Sequence, residues 1–230
     1  MALEGLTQIN VELTSRCDKS CSFCGHQDPS INKQLEYGDI DFDLLRNISC
    51  SLPSHTIVQF HRDGEPLVYP NLYDALYIFN NCIRSIVTNG KKLVEKREEI
   101  IGNCETLTIS AFRGDPDGPE QLAILKEFIR IKGDCKPQVL VKWVGDGDAS
   151  AYEAMGLRII RRAIHIPGGN SKYANLEPTV PEIGICLDFL HHPSIDWKGN
   201  SRITHLSNSL LAYEHARSHQ RSRGVLSALG

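Results

Sequence analysis

The chain has no apolar run long enough to span a bilayer, and its N-terminus, MALEGLTQINVEL, shows no basic segment leading into an apolar stretch. Neither a membrane span nor an export signal is expected, so the expected compartment is the cytoplasm. Excess charge is missing too: 25 Lys and Arg against 28 Asp and Glu leave a net charge of −3. That balance gives no electrostatic case for nucleic acid or an anionic membrane. Internal repeats and low-complexity tracts are also absent. A disulfide framework is not indicated either. Only Cys17, Cys21 and Cys24 cluster, while Cys50, Cys82, Cys104, Cys135 and Cys186 stand singly. Without an export signal the cluster reads as metal ligation and the rest as packing thiols.

The chain does contain a regular alternation of strand and helix patterns. Strands are expected at residues 8–13, 56–60, 83–87, 106–111, 138–144 and 157–163. Helices are expected at 42–50, 72–80, 92–101, 119–131 and 149–155. In the fourth of these, Leu122, Leu125, Phe128 and Ile129 share one face. Strands separated by helices imply a parallel α/β sheet with right-handed crossovers. The strands read as continuous apolar runs, which predicts burial on both faces. Periodicity alone leaves an open doubly wound sheet and a partial barrel both possible. In either, chemistry gathers where strands end. After Pro167 the pattern fails. A Gly/Asn/Pro-rich loop covers 168–181, a hairpin turns near Lys198, Gly199 and Asn200, and a last helix is expected at 207–215. The expected organisation is a body at 1–167, an extension at 168–215 and a frayed tail at 216–230.

The segment TSRCDKSCSFCGHQ spaces its cysteines as Cys-x3-Cys-x2-Cys, directly after the first expected strand. Three thiolates in one loop can hold a cubane iron–sulfur cluster and leave one iron open to a small molecule. A Cys3His zinc site, completed by His26 or His61, is the bland alternative; structural zinc usually takes its ligands from two short knuckles, and there is no second Cys-x2-Cys.

This cysteine spacing, with the aromatic Phe23 just before Cys24, resembles the radical S-adenosylmethionine (SAM) superfamily. The resemblance extends over residues 5–167 through further matches at successive strand ends. Asp63, Gly64, Glu65 and Pro66 resemble the family's Gly-Gly-Glu-Pro, with Asp63 in place of the first glycine; that segment binds the methionyl amino group. Thr88, Asn89 and Gly90 are similar to a Thr-Asn-Gly that helps hold SAM. Ser110 is similar to a serine that bonds the ribose, and Lys142 to a basic residue that pairs with the SAM carboxylate. The fold implied is a partial (β/α)6 TIM-like barrel with a short C-terminal hairpin and helix. The implied cofactors are one [4Fe-4S] cluster on Cys17, Cys21 and Cys24, and SAM itself. Reductive cleavage of SAM would give a 5′-deoxyadenosyl radical that abstracts hydrogen from a substrate. Flavodoxin or ferredoxin is the reductant the resemblance implies.

Cys186 and the later Ser-Ile-Asp-Trp-Lys-Gly-Asn are similar to a truncated SPASM or twitch extension. No cysteine follows Cys186, so a second cluster is not expected. That absence points toward reactions that return or retain the electron. A small molecule or a peptide would fit as substrate, and Arg113, Arg161 and His165 are its candidate contacts, with His61 and Arg62 near them. A non-catalytic module, zinc-stabilised or binding SAM through an iron–sulfur site, is the alternative of a different class.

Overall fold

The structure, a computed structural model, describes residues 6–21, 24, 36–162 and 193–203. Phe23, His26, His165, Cys186, the loop at 168–181 and the expected final helix lie outside the described residues. Eight strands form one sheet: β1 (Gln8–Val11), β2 (Ile57–Phe60), β3 (Ile83–Thr88), β4 (Thr106–Phe112), β5 (Gln138–Val144), β6 (Arg158–Arg162), β7 (Pro193–Ile195) and β8 (Ser201–Ile203). Their order is β6-β5-β4-β3-β2-β1-β7-β8. The first seven run parallel, and β8 returns antiparallel to β7. The sheet is open, with β6 and β8 at its edges.

Between strands lie α1 (Phe42–Ser51), α2 (Leu72–Ile78), the single turn α3 (Arg97–Ile100), α4 (Gly118–Lys132) and the single turn α5 (Ser150–Glu153). Asp41 starts α1 by accepting the N–H groups of Asp43 and Leu44. The helix expected over 92–101 shrinks to α3. Residues 91–96 form a succession of turns instead, anchored by the fully buried Leu93.

The strand order decides between doubly wound and barrel-like winding. Each crossover from β1 to β6 steps to the next neighbour in one direction, so right-handed connections put every helix on the same face. Packing agrees. Phe60 meets Phe79, at the end of α2, edge-on with centroids 5.6 Å apart. Trp143 meets Tyr152 of α5 at 6.0 Å. The register Val11, Phe60, Ile86, Leu107, Val139 places these residues on one helix-covered face, with Trp143 two pleats along β5. A doubly wound sheet would reverse direction at a switch point; the winding here is that of a barrel left open.

The expectation of strands apolar on both faces is corrected. Exposure alternates along β2 and β5. The face turned away from the helices carries Asn10, Glu12, Gln59, Ser85, Thr108, Ser110, Gln138, Lys142 and Ser194. Among the described residues, one-sided winding places the helices on the other face, where the apolar residues are gathered. Among the described residues no helix is long and apolar enough to cross a membrane.

Candidate functional site

The chain leaving β1 at Thr14 meets itself again at Asp39, through an isolated antiparallel bridge. Ser15 N–H donates to Gly38 O (3.0 Å) and Ile40 N–H to Leu13 O (2.8 Å). The three clustered cysteines lie in the loop closed by that base. Cys24 N–H donates to Cys21 O at 3.0 Å. Lys19, between Cys17 and Cys21, turns inward to pair with Asp115 after β4, and both side chains are 3% exposed. Its ammonium also lies 5.3 Å from the centroid of the Phe112 ring.

The Asp63–Pro66 segment is pressed against the same loop. Gly64 has no room for a side chain: a Cβ there would lie 2.0 Å from Thr14 O and 2.9 Å from Arg16 O. Glu65 N–H donates to Arg16 O at 2.8 Å. The Glu65 carboxylate is buried and receives three hydrogen bonds: Thr88 Oγ1 (2.7 Å), Asn89 N–H (2.7 Å) and Leu67 N–H (2.9 Å). Burial pushes its pKa up to about 7, against those three donors. Thr88 thus faces Glu65, and its oxygen also accepts Gly90 N–H at 2.9 Å. Asn89 reaches the cysteine loop, donating to Asp18 Oδ1 at 2.8 Å with Cys17 Sγ at 3.9 Å.

Ser110 and Lys142 are register partners on β4 and β5, both half-buried on the polar face. Gln121 ties this pair to the Thr88–Gly90 turn. Its Nε2 donates to Asn89 O (2.6 Å) and Ser110 O (2.9 Å), while its Oε1 accepts Tyr152 OH (2.7 Å). The sequence reading missed Gln121, although it occupies position i of the i, i+4, i+7 stripe that continues with Leu125 and Phe128. A polar residue on an apolar stripe was the available signal. Glu12 was missed as well. It is buried and accepts Asp63 N–H and Trp197 N–H, each at 3.2 Å. Arg62 has a 7% exposed side chain, lies 3.4 Å from Asp63, and keeps a buried Nη1 with no hydrogen-bond partner.

Arg113 and Arg161 are both exposed and abut the same turn. Arg161 donates to Gly147 O (3.0 Å) and pairs with Glu153 (3.2 Å). A Cβ on Gly147 would lie 3.1 Å from Arg113 Cδ. Arg161 is the register partner of Trp143, on the helix side of the sheet; Arg162, beside Val144, is on the polar side.

Among the described residues, no three Cys, His, Asp or Glu side chains already converge closely enough to grip a metal ion. The thiols nevertheless sense one another. Burial pushes Cys21 up to about 12, with Lys19 opposing and Cys24 and Cys17 adding. Burial also raises Cys17, with Cys24 among the groups that add to it. Burial disfavours the thiolate form that a bound cation would favour, and soft sulfur ligands suit iron. Cys17, Cys21 and Cys24, carried on one loop, are a soft donor set of the kind that could hold a thiolate-bound cluster.

No family model matches the chain. A curated relative, the S-adenosyl-L-methionine-dependent 2-deoxy-scyllo-inosamine dehydrogenase of Niallia circulans, is 34% identical over 98 residues. The match takes in 40% of this chain and spans 38% of that relative's length. Over that stretch the chain is similar to an enzyme dependent on SAM. A solved structure of BtrN in complex with AdoMet and 2-DOIA aligns with a TM-score of 0.46 and 16% identity, over 91% of this chain and 77% of that one.

Proposed function

We propose that this protein is a radical SAM enzyme of the cytoplasm, carrying one [4Fe-4S] cluster on Cys17, Cys21 and Cys24. The observation that carries the reading is the convergence of the ends of β2 and β3 on the cysteine loop that follows β1. Gly64 and Glu65 touch its backbone, and Asn89 touches its side chains. The similarity to a SAM-dependent dehydrogenase supports it. Bound there, a cluster and SAM would supply one-electron chemistry, in which reductive cleavage of a sulfonium C–S bond allows hydrogen to be taken from an unactivated C–H bond.

The chain's own residues bind and orient. Gly64 lets backbone approach closely, and Asp63 with the neighbouring carbonyls accepts from the methionyl ammonium. Glu65 organises Thr88 and Asn89 beside it. Phe23 immediately precedes the third cysteine in sequence. Ser110 and Lys142, side by side, hold the ribose and the methionyl carboxylate. The polar face of the sheet suits a small, hydroxyl- or amine-bearing substrate of the kind the relative's name describes, with Arg113 and, from the sequence, His165 as candidate outer contacts; Arg161, on the helix side, is not among them. A flavodoxin or ferredoxin supplies the electron. Residues 1–167 form the catalytic body, and 168–215 an extension without an auxiliary cluster.

The test is iron and sulfide analysis with electron paramagnetic resonance on anaerobically reconstituted protein, with and without SAM. About four irons per chain and a signal altered by SAM are expected, with 5′-deoxyadenosine formed on reduction. Zinc without sulfide overturns the reading. Serine at any one of the three cysteines should abolish the signal.

A further inference from the structure

The hairpin turn between β7 and β8 is far from the cysteines in sequence, yet it lies against the base of their loop. Trp197 lies flat on Gly38: a Cβ at Gly38 would fall 2.3 Å from the indole ring. Trp197 N–H donates to Glu12 Oε2 at 3.2 Å, and the other oxygen of that carboxylate accepts Asp63 N–H. Lys198 pairs with Glu36 and stands 5.2 Å from the Trp197 ring centroid. Asp196 shapes the turn by accepting Lys198 N–H (3.0 Å), Asn200 N–H (2.8 Å) and Asn200 Nδ2 (3.0 Å). β7 itself pairs with β1, the strand that feeds the loop.

Of the turn's partners, Gly38 and Glu36 belong to the loop base, and Glu12 carries the contact on to Asp63. Gly38 accepts Ser15 N–H and donates to Ser15 Oγ at 2.9 Å. Gly64, next to Asp63, meets the backbone of Thr14 and Arg16. The loop base thus touches both the Asp63–Glu65 segment, at Thr14 and Arg16, and the indole of Trp197, at Gly38. A glycine at 38 is required by the indole, and the indole needs the flat surface that glycine leaves.

We propose that Trp197 is a positioning residue for the cysteine loop, and that the β7–β8 hairpin acts as a clamp that needs no metal of its own. The clamp rests on the reading of that loop as a cluster site, but its mechanical half is testable without metal. In the metal-free protein, Trp197→Ala should speed hydrogen exchange at the amides of Ser15, Gly38 and Ile40 and leave those of β4 and β5 unchanged. In reconstituted protein the same variant should release iron to a chelator at least about tenfold faster, the size of effect usual for outer-shell partners. Trp197→Phe should restore both.

Unchanged exchange and unchanged iron release in Trp197→Ala overturn the clamp. If exchange rises across the whole sheet, the variant is unfolding, and the exposed pair decides instead. Lys198→Glu should loosen the Gly38 amide and Glu36→Lys combined with it should restore protection; no difference between them overturns the clamp. A wild-type protein that binds no iron overturns the cluster reading, and the exchange result still decides the clamp.

Discussion

Thr88 donates its hydroxyl to Glu65 across 2.7 Å, tying the end of β3 to the turn after β2. The carboxylate is almost fully enclosed, so each donor it receives offsets part of its desolvation. Thr88→Val removes one donor and keeps the shape. The expected cost is about 1–3 kcal/mol in urea unfolding, the range for a buried polar group left short of a partner. SAM affinity of the reconstituted protein, measured by equilibrium dialysis, should fall with it because the Thr88–Gly90 turn loses its hydroxyl tie to Glu65 and the acceptor of Gly90 N–H. Thr88→Ser should recover both, and a valine variant with wild-type stability and affinity would count against this role.

Gly64→Ala tests the close approach directly. The clashing atoms are backbone, Thr14 O and Arg16 O, which cannot rotate away as a side chain would. Destabilisation at or beyond the upper end of about 1–3 kcal/mol is expected, as for overpacked interiors. Thermal unfolding of the metal-free protein checks the first effect, and iron content after reconstitution the second. Full iron binding in the alanine variant would show that the loop can shift without loss.

The strand–helix alternation was legible because β-branched apolar runs and turn residues are local signals. Gln138–Val144 shows this, with strand bounds that match the expectation. The cysteine loop and the Asp63–Pro66 and Thr88–Gly90 segments were singled out by a family resemblance, and each follows a strand as that resemblance implies. What the sequence hid depends on distant partners. Lys19 meets Asp115, 96 positions away, and Glu12 meets Trp197, 185 positions away. Neither pairing leaves a local pattern. The winding direction was hidden too, since periodicity reports which residues are apolar and not which neighbour a strand takes.

The Lys19–Asp115 pair is buried on both sides, so removing one partner strands the other charge. Asp115→Ala should cost about 3–5 kcal/mol. Replacing both, as Lys19→Met with Asp115→Leu, should recover most of that loss, because a buried ion pair adds little beyond an apolar pair of similar volume. Urea unfolding of the two single variants and the double gives the coupling. Additive losses would show that the two residues act independently. The same tether fixes the loop between Cys17 and Cys21 over Phe112, so the single variants should also lose iron faster than the double.

Glu12 makes stability depend on pH. Burial raises its pKa from 4.5 to about 7, with Asp63 adding to the rise and Arg62 opposing it, as do the N–H donors of Trp197 and Asp63. The folded protein therefore holds a proton on Glu12 that the unfolded chain gives up between pH 4.5 and 7. A raised carboxyl pKa means stability that declines as pH rises through that window and levels off above it. One such proton corresponds to a slope of about 1.4 kcal/mol per pH unit at most. Glu65, raised by the same cause, adds a second contribution of the same sign. Glu12→Gln mimics the protonated acid and should flatten the fall by one proton's share, leaving the Glu65 share in place. The measurement is urea unfolding of metal-free protein at pH 5, 6, 7 and 8. Parallel curves for the variant and wild type would mean that Glu12 titrates alike in the folded and unfolded chains.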